Sequence, residues 1–261
     1  EERDVATSHG RTHVVVSGPE DAPPVVLLHG AGCSAAMWVD VARALSPRFR
    51  TYALDTIGDV GRSVATPGAA PRDLDGYADW LLAVLDALGL ERPAIVSHSY
   101  GGWVALGFAS RHPARVRRLV TCAPAASLAR IQLRFFIRTV PAFFIRWPSM
   151  IRWMLDGISA RGPEMREHVI GRICEAIAKH GYPISVYPTL IAPARLGQIT
   201  APTLVMIGAR EILYDPATAL GVARASLPNV QAVEIAGASH AVTYDAAEEV
   251  CRRAREFLEL A

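Results

Sequence analysis

Three residue types that together turn a hydroxyl into a nucleophile stand in turn-like settings along this chain: a serine at 99, a carboxylate at 211 or 215, and a histidine at 240. Ser99 lies in Ser97-His98-Ser99-Tyr100-Gly101-Gly102, directly after the apolar run Ala94-Ile95-Val96. A strand, one sharp turn carrying a serine, and then a helix make a nucleophile elbow. Such an elbow holds the serine oxygen out at the end of a sheet. The usual pattern is G-x-S-x-G, and here Ser97 takes the place of the first glycine. That position is crowded against the following helix, so it requires a small side chain, and serine is small.

A nucleophilic serine needs a base, the base needs a carboxylate to orient it, and the developing oxyanion needs fixed donors. His240, in Gly237-Ala238-Ser239-His240, follows the apolar run ending at Ile235 and precedes the last amphipathic stretch, which suits the base. The acid has two candidates in Gly208-Ala209-Arg210-Glu211-Ile212-Leu213-Tyr214-Asp215-Pro216. Glu211 occupies the aspartate position of the usual G-x-x-D, and a fixed carboxylate of either length can serve. Asp215 competes with it, although capping the helix that Pro216 opens is an alternative job for that residue. Asp55, after an earlier strand, reads as a loop anchor. For the oxyanion, the Tyr100 N–H follows the nucleophile. A second donor is expected from His29-Gly30-Ala31-Gly32, at Ala31 or alternatively Gly32. None of these roles calls for a metal ion or an organic cofactor.

The elements that must position these groups follow from the hydrophobic pattern. Strands are predicted at His13–Ser17, Val25–His29, Thr51–Asp55, Ala94–Ser97, Val116–Cys122, Thr203–Gly208 and Ala232–Ile235. Several are unbroken apolar runs, as in a parallel sheet buried on both faces. Helices are predicted at Ala35–Leu45, Tyr77–Leu88, Tyr100–His112, Ala217–Ser226 and Ala246–Leu260, alternating with the strands in an α/β pattern. From about Ser127 to Gly197 the rhythm breaks. That stretch shows helical periodicity interrupted by Pro141, Pro148, Gly162-Pro163 and Pro183, and it is too long for a simple loop. It reads as a helical cap, residues 127–197, inserted in a core formed by 1–126 and 198–261.

Composition narrows the function classes. The 261 residues carry a net charge of +2, with 51% hydrophobic and 20% charged residues, so no global field points to nucleic acid. Lys179 is the single lysine, a bias that reads as genome composition. Cys33, Cys122, Cys174 and Cys251 form no C-x-x-C pair, which argues against zinc or dithiol chemistry. Reduced thiols in a cytoplasmic protein are the expectation. No apolar run reaches the length of a membrane helix, and the glutamate start suggests that a preceding segment was removed.

Over essentially its whole length the chain resembles the α/β-hydrolase superfamily. The resemblance rests on Leu28-His29-Gly30-Ala31-Gly32, Ser97-His98-Ser99-Tyr100-Gly101-Gly102, Gly208-Ala209-Arg210-Glu211 and Gly237-Ala238-Ser239-His240. Asp55-Thr56-Ile57-Gly58-Asp59 and the run from Glu211 to Pro216 are similar to a bacterial carboxylesterase branch. Dehalogenases and epoxide hydrolases use an aspartate nucleophile where Ser99 stands. The resemblance implies an eight-stranded, mostly parallel sheet flanked by helices, with a helical cap over the site. It implies hydrolysis of a carboxylic ester. The same triad would serve a thioesterase, a lactonase or a biosynthetic cyclase, and a hydrolase-fold binding protein without turnover is the alternative of another class.

The cap region is rich in Phe135, Phe136, Phe143, Phe144, Trp147, Trp153 and Met154. Most are expected to pack the cap onto the core, and a minority to line an apolar pocket for a hydrophobic substrate. Arg130, Arg134 and Arg138 share one helical face by their spacing. A solvated face is the plain reading. Docking of an acyl carrier protein or a membrane surface is the sharper one.

Overall fold

Unbroken aliphatic runs build the central sheet, as their lack of polar alternation requires. The computed structural model describes residues 1–133, 135, 137, 147–155, 157–161 and 186–260. Among the described residues nine strands belong to one sheet, one more than the eight the resemblance implies because the two-residue β5 also pairs with β2: β1 (Glu2–Thr7), β2 (Gly10–Ser17), β3 (Pro24–Leu28), β4 (Arg50–Leu54), β5 (Val64–Ala65), β6 (Ala94–His98), β7 (Leu119–Cys122), β8 (Thr203–Gly208) and β9 (Val230–Ile235). Their order is β1-β2-β4-β3-β6-β7-β8-β9, with β5 paired to β2. Every neighbouring pair from β4 to β9 is parallel, whereas β2 is antiparallel to β1, β4 and β5.

The described helices are α1 (Val39–Leu45), α2 (Leu74–Ala87), α3 (Tyr100–Arg111), α4 (Pro148–Leu155), α5 (Pro193–Leu196), α6 (Pro216–Ser226), α7 (Val242–Asp245) and α8 (Ala247–Glu259). Successive strand residues point to opposite faces. Val26, Leu28, Ile95 and Val205 join the cluster that includes α2, α3 and α6. Val25, Leu27, Val96 and Met206 join the one that includes α1 and α8. Each such aliphatic side chain, fully buried, contributes roughly 1.5–3 kcal/mol. Both faces are therefore dry, and chemistry must sit at the strand ends.

All seven strands expected from the pattern are present. β1 was not expected, because it is a charged edge strand with Val5 as its buried residue, and charge at an edge discourages stray pairing. β5 is too short to show a pattern. The helix expected over Ala35–Leu45 divides into a 3₁₀ turn (Ala35–Trp38) and α1, and the last helix is preceded by the short α7.

β7 and β8 are adjacent and parallel, so the chain between them makes a single long crossover. Among its described residues there is no strand. Its two ends meet where the Ile191 N–H donates to the Ser127 carbonyl at 3.0 Å. Leu128 and Ala129 at one end, and Ile191 and Leu196 at the other, are buried in the cluster of α3. Among the described residues no helix is long and apolar enough to cross a membrane.

Candidate active site

The elbow is set by close backbone packing. Ser99 joins β6 to α3 with φ 50° and ψ −113°. A non-glycine residue held there costs about 1–3 kcal/mol, which the surrounding bonds must offset. The Ser99 N–H donates to the Cys122 carbonyl at 2.9 Å, and the Ser99 carbonyl accepts from Trp103 and Ala125 at 3.1 and 3.0 Å. α3 starts so close to β3 that a Cβ on Gly101 would lie 2.2 Å from the Leu28 carbonyl oxygen, so only glycine fits. Ser97, in the place of the usual glycine, is fully buried, and its hydroxyl donates to the Val120 carbonyl at 3.1 Å.

His240 and Glu211 arrive from loops after β9 and β8. His240 Nε2 lies 2.8 Å from Ser99 Oγ, and its Nδ1 lies 2.8 Å from Glu211 Oε2. A carboxylate only accepts, so Nδ1 carries the proton and Nε2 is free to accept from the serine hydroxyl. Glu211 Oε1 accepts the N–H groups of Ile212 and Leu213 at 2.8 and 2.9 Å, which fixes the carboxylate over its own turn. Ser99, Glu211 and His240 are 8%, 4% and 5% exposed, so the relay is nearly dry. Burial, and then the Glu211 charge, push the Tyr214 phenol well above its ordinary range, so it stays neutral beside the acid.

Asp215 does not reach the histidine. It is exposed and caps α6, accepting the Thr218 N–H and hydroxyl at 2.7 Å each, and these bonds hold its carboxyl below the usual range. Of the two acid candidates, the structure brings Glu211 to His240.

The loop after β3 lies against the nucleophile, since a Cβ on Gly30 would come within 3.3 Å of the Ser99 Cβ. The Gly32 N–H points elsewhere: it donates to the buried Asp59 carboxylate, at 3.1 Å to Oδ1 and 3.2 Å to Oδ2. Of the two loop donors considered, the Ala31 N–H is the one not engaged in this way. Burial pushes the Asp59 carboxyl up, opposed by His29 and by the Val60 and Gly32 amides. Asp55 is the loop anchor that its position suggested, accepting the Ala35 and Arg62 N–H groups at 2.7 Å each.

Two features escaped the sequence reading. His98, between the two elbow serines, is buried, and its Nε2–H donates to the His240 carbonyl at 3.0 Å. Burial, and then the neighbouring His240, push it down to about 3, so it is neutral. A Cβ on Gly30 would sit 2.8 Å from His98 Nδ1, which explains a glycine there. Its place within the elbow was the one available signal. The second feature is Asp245, whose carboxylate accepts the N–H groups of Ser239 and Ala160 at 2.8 Å each and the Ser159 hydroxyl. The Ser239 hydroxyl donates to Arg210 and Gly157 carbonyls. Residues 157–161 are thus tied to the loops carrying His240 and Glu211. The contacts to residues 157–161 span more than 80 residues of sequence and leave no local pattern.

Of the aromatic set in the crossover, Phe135 is half-buried against the core, while Trp147 and Trp153 are 69% and 48% exposed. Phe136, Phe143, Phe144 and the Met154 side chain lie outside the described residues, as do Arg134, Arg138 and Cys174. Arg130 is exposed. Cys33, Cys122 and Cys251 are free thiols, and burial pushes Cys33 up to about 12. Among the described residues no cluster of histidine, cysteine or acidic side chains could hold a metal ion.

A buried serine–histidine–carboxylate relay at the carboxyl ends of a mostly parallel, doubly covered sheet defines a hydrolase of the α/β class. Residues 25–253 match the model of the alpha/beta hydrolase family, and the chain belongs to that family. It is 31% identical over 260 residues to an uncharacterized carboxylesterase, nap, of Bacillus subtilis, covering 97% of this chain and 85% of that protein. The crystal structure of the Bacillus subtilis carboxylesterase CesB (YbfK) superimposes with a TM-score of 0.90 at 29% identity, over 99% of this chain and 91% of that one. Naproxen esterase (carboxylesterase NP) from the same organism gives a TM-score of 0.88 at 28% identity, over 99% and 91%.

Proposed function

We propose that this protein is a serine hydrolase that cleaves carboxylic esters of hydrophobic small molecules through an acyl-enzyme on Ser99. The observation that carries the reading is the unbroken buried relay from Ser99 Oγ through His240 to Glu211. The similarity to Bacillus subtilis carboxylesterases supports an ester as substrate. His240 Nε2 takes the hydroxyl proton as Ser99 Oγ attacks the carbonyl carbon. The oxyanion is held by the Ala31 and Tyr100 N–H groups. When the tetrahedral intermediate collapses, the leaving alkoxide takes the proton from His240, and the acyl group remains on Ser99. A water then gives its proton to His240 and attacks the acyl carbon. Its collapse releases the acid and returns the proton to Ser99. Glu211 keeps the imidazole in the required tautomer and offsets its positive charge after proton transfer. Residues 127–197 act as a cap that shapes the apolar acyl or alcohol pocket.

Labelling with a fluorophosphonate probe, read by mass spectrometry, is expected to modify Ser99. Ser99→Ala is expected to abolish labelling and to lower kcat on p-nitrophenyl esters by about a million-fold. Unchanged turnover in Ser99→Ala would overturn the mechanism. Labelling without ester turnover, accompanied by thioester or lactone cleavage, would move the substrate class and leave the relay in place.

A further inference from the structure

The loop after β3 is held by two groups outside the serine–histidine–glutamate relay. His29 Nε2 accepts the Thr56 N–H at 2.9 Å, so the neutral ring carries its proton on Nδ1. That Nδ1–H donates to the Gly30 carbonyl at 2.8 Å, and the same carbonyl accepts the Cys33 N–H at 3.2 Å. In a trans peptide the C=O and the following N–H point in opposite directions. Clamping the Gly30 oxygen on one side therefore fixes the Ala31 N–H on the other.

The next peptide is clamped by Asp59. Gly32 is the third residue of the turn closed by Cys33, at φ 71°, a geometry whose central peptide can flip unless something holds it. Both oxygens of Asp59 lie within hydrogen-bond distance of the Gly32 N–H, and Oδ1 also accepts the Val60 N–H at 2.7 Å. The carboxylate side chain is 3% exposed, and Oδ2 lies 4.0 Å from His29 Nδ1. Burying a carboxyl group this far from solvent is costly unless its oxygens are hydrogen-bonded, and here they accept the Gly32 and Val60 N–H groups.

We propose that Asp59 is a positioning residue of the oxyanion hole: by binding the Gly32 N–H it holds the Gly30–Cys33 turn, whose bond to the Gly30 carbonyl keeps the Ala31 N–H on the opposite side, toward Ser99. This rests on the serine-hydrolase reading above. Asp59 touches no substrate, and its effect passes through the donor it fixes. Loss of the clamp lets the turn relax, which weakens one oxyanion donor.

The test compares Asp59→Ala and Asp59→Asn on a p-nitrophenyl ester. Inhibition by phenylboronic acid, which adds to Ser99 Oγ as a tetrahedral anion, is measured beside it. Removing one oxyanion donor costs about 10²–10³-fold in kcat. Asp59→Ala is expected to approach that loss with KM nearly unchanged, and to weaken the boronate by a similar factor. Asp59→Asn, whose amide oxygen still accepts an N–H, is expected to recover most of both. Where Asp59→Ala does not fold, Asp59→Ser, a small polar residue too short for the clamp, takes its place. A folded variant with normal kcat, or one that loses kcat while binding boronate normally, would overturn the proposal. A wild-type chain that neither labels at Ser99 nor turns over an ester overturns the serine-hydrolase reading and this one with it. Normal wild-type turnover with an indifferent Asp59→Ala removes this proposal alone.

Discussion

The turn that carries Glu211 and the helix start that carries Asp215 belong to the same connection after β8, yet their carboxylates sit in opposite environments. Glu211 is buried, with one oxygen bound to two N–H groups of its own turn and the other on His240. Asp215 is in solvent, with one oxygen occupied by the backbone and hydroxyl of Thr218. The difference lies in the path of the chain just beyond each residue. After Glu211 the chain turns tightly, so the longer side chain can curl back over its own amides and still extend to the imidazole. After Asp215 comes Pro216 and a helix, whose free N-terminal N–H groups attract the shorter acid. A carboxylate's role here is decided by the donors nearest to it.

The strongest way to break that contrast is Glu211→Gln. The amide keeps the shape but can donate to His240 Nδ1, which moves the ring proton to Nε2 and blocks acceptance from Ser99. A loss of about 10⁴-fold in kcat is expected from such a tautomer error, with folding intact by circular dichroism. Glu211→Asp sharpens the length argument. Without the extra methylene the carboxylate cannot hold both amides and His240, and a misplacement near 1 Å costs about 10²-fold. Equal activity in Glu211→Asp and wild type would show that the curl over the turn does not matter.

The sequence revealed the groups that signal through their neighbours. Ser99 follows an apolar run and precedes glycines, His240 follows β9, and Glu211 stands at a fixed offset from Gly208. The sheet was legible because its buried strands are unbroken aliphatic runs, while β1 was not, because a charged edge strand looks like a loop. The choice between Glu211 and Asp215 remained open because both are acids in one connection, and spacing along a chain does not specify which one faces inward. Asp245 and the clamp on Gly32 were invisible for a related reason. They join loops that only the fold brings together, through backbone amides that every residue possesses.

The two neighbouring imidazoles repeat the contrast with a smaller effect. His240 bonds to an acid, whereas His98 donates to a carbonyl, and burial, and then the neighbouring His240, push it down to about 3. Unfolding frees His98 to take a proton near its ordinary value of 6.5, so the unfolded state binds more protons than the folded one below that pH. The stability linked to His98 is present above pH 6.5 and declines as pH falls from there toward 3. Urea unfolding across this range is expected to show that decline. His98→Gln, which keeps a donor for the His240 carbonyl, is expected to flatten it by the equivalent of one proton. An unchanged slope would mean that His98 is accessible to protons in the folded state.

The smallest effect belongs to the other carboxylate. Asp215→Asn retains a good cap and should leave both kcat and Tm near wild type, since Asn caps helices about as well as Asp. Asp215→Ala removes the acceptor for Thr218 and should lower Tm slightly at neutral pH, with ester turnover unaffected. Because the bonds to Thr218 hold the Asp215 carboxyl below its ordinary value of 3.8, its contribution is full above that pH and vanishes once acid protonates it in the folded state. The Tm difference between wild type and Asp215→Ala should therefore close at strongly acid pH. A loss of kcat in Asp215→Asn comparable with that of Glu211→Gln would reverse the assignment of the two acids, and would mean that the connection after β8 rearranges when substrate binds.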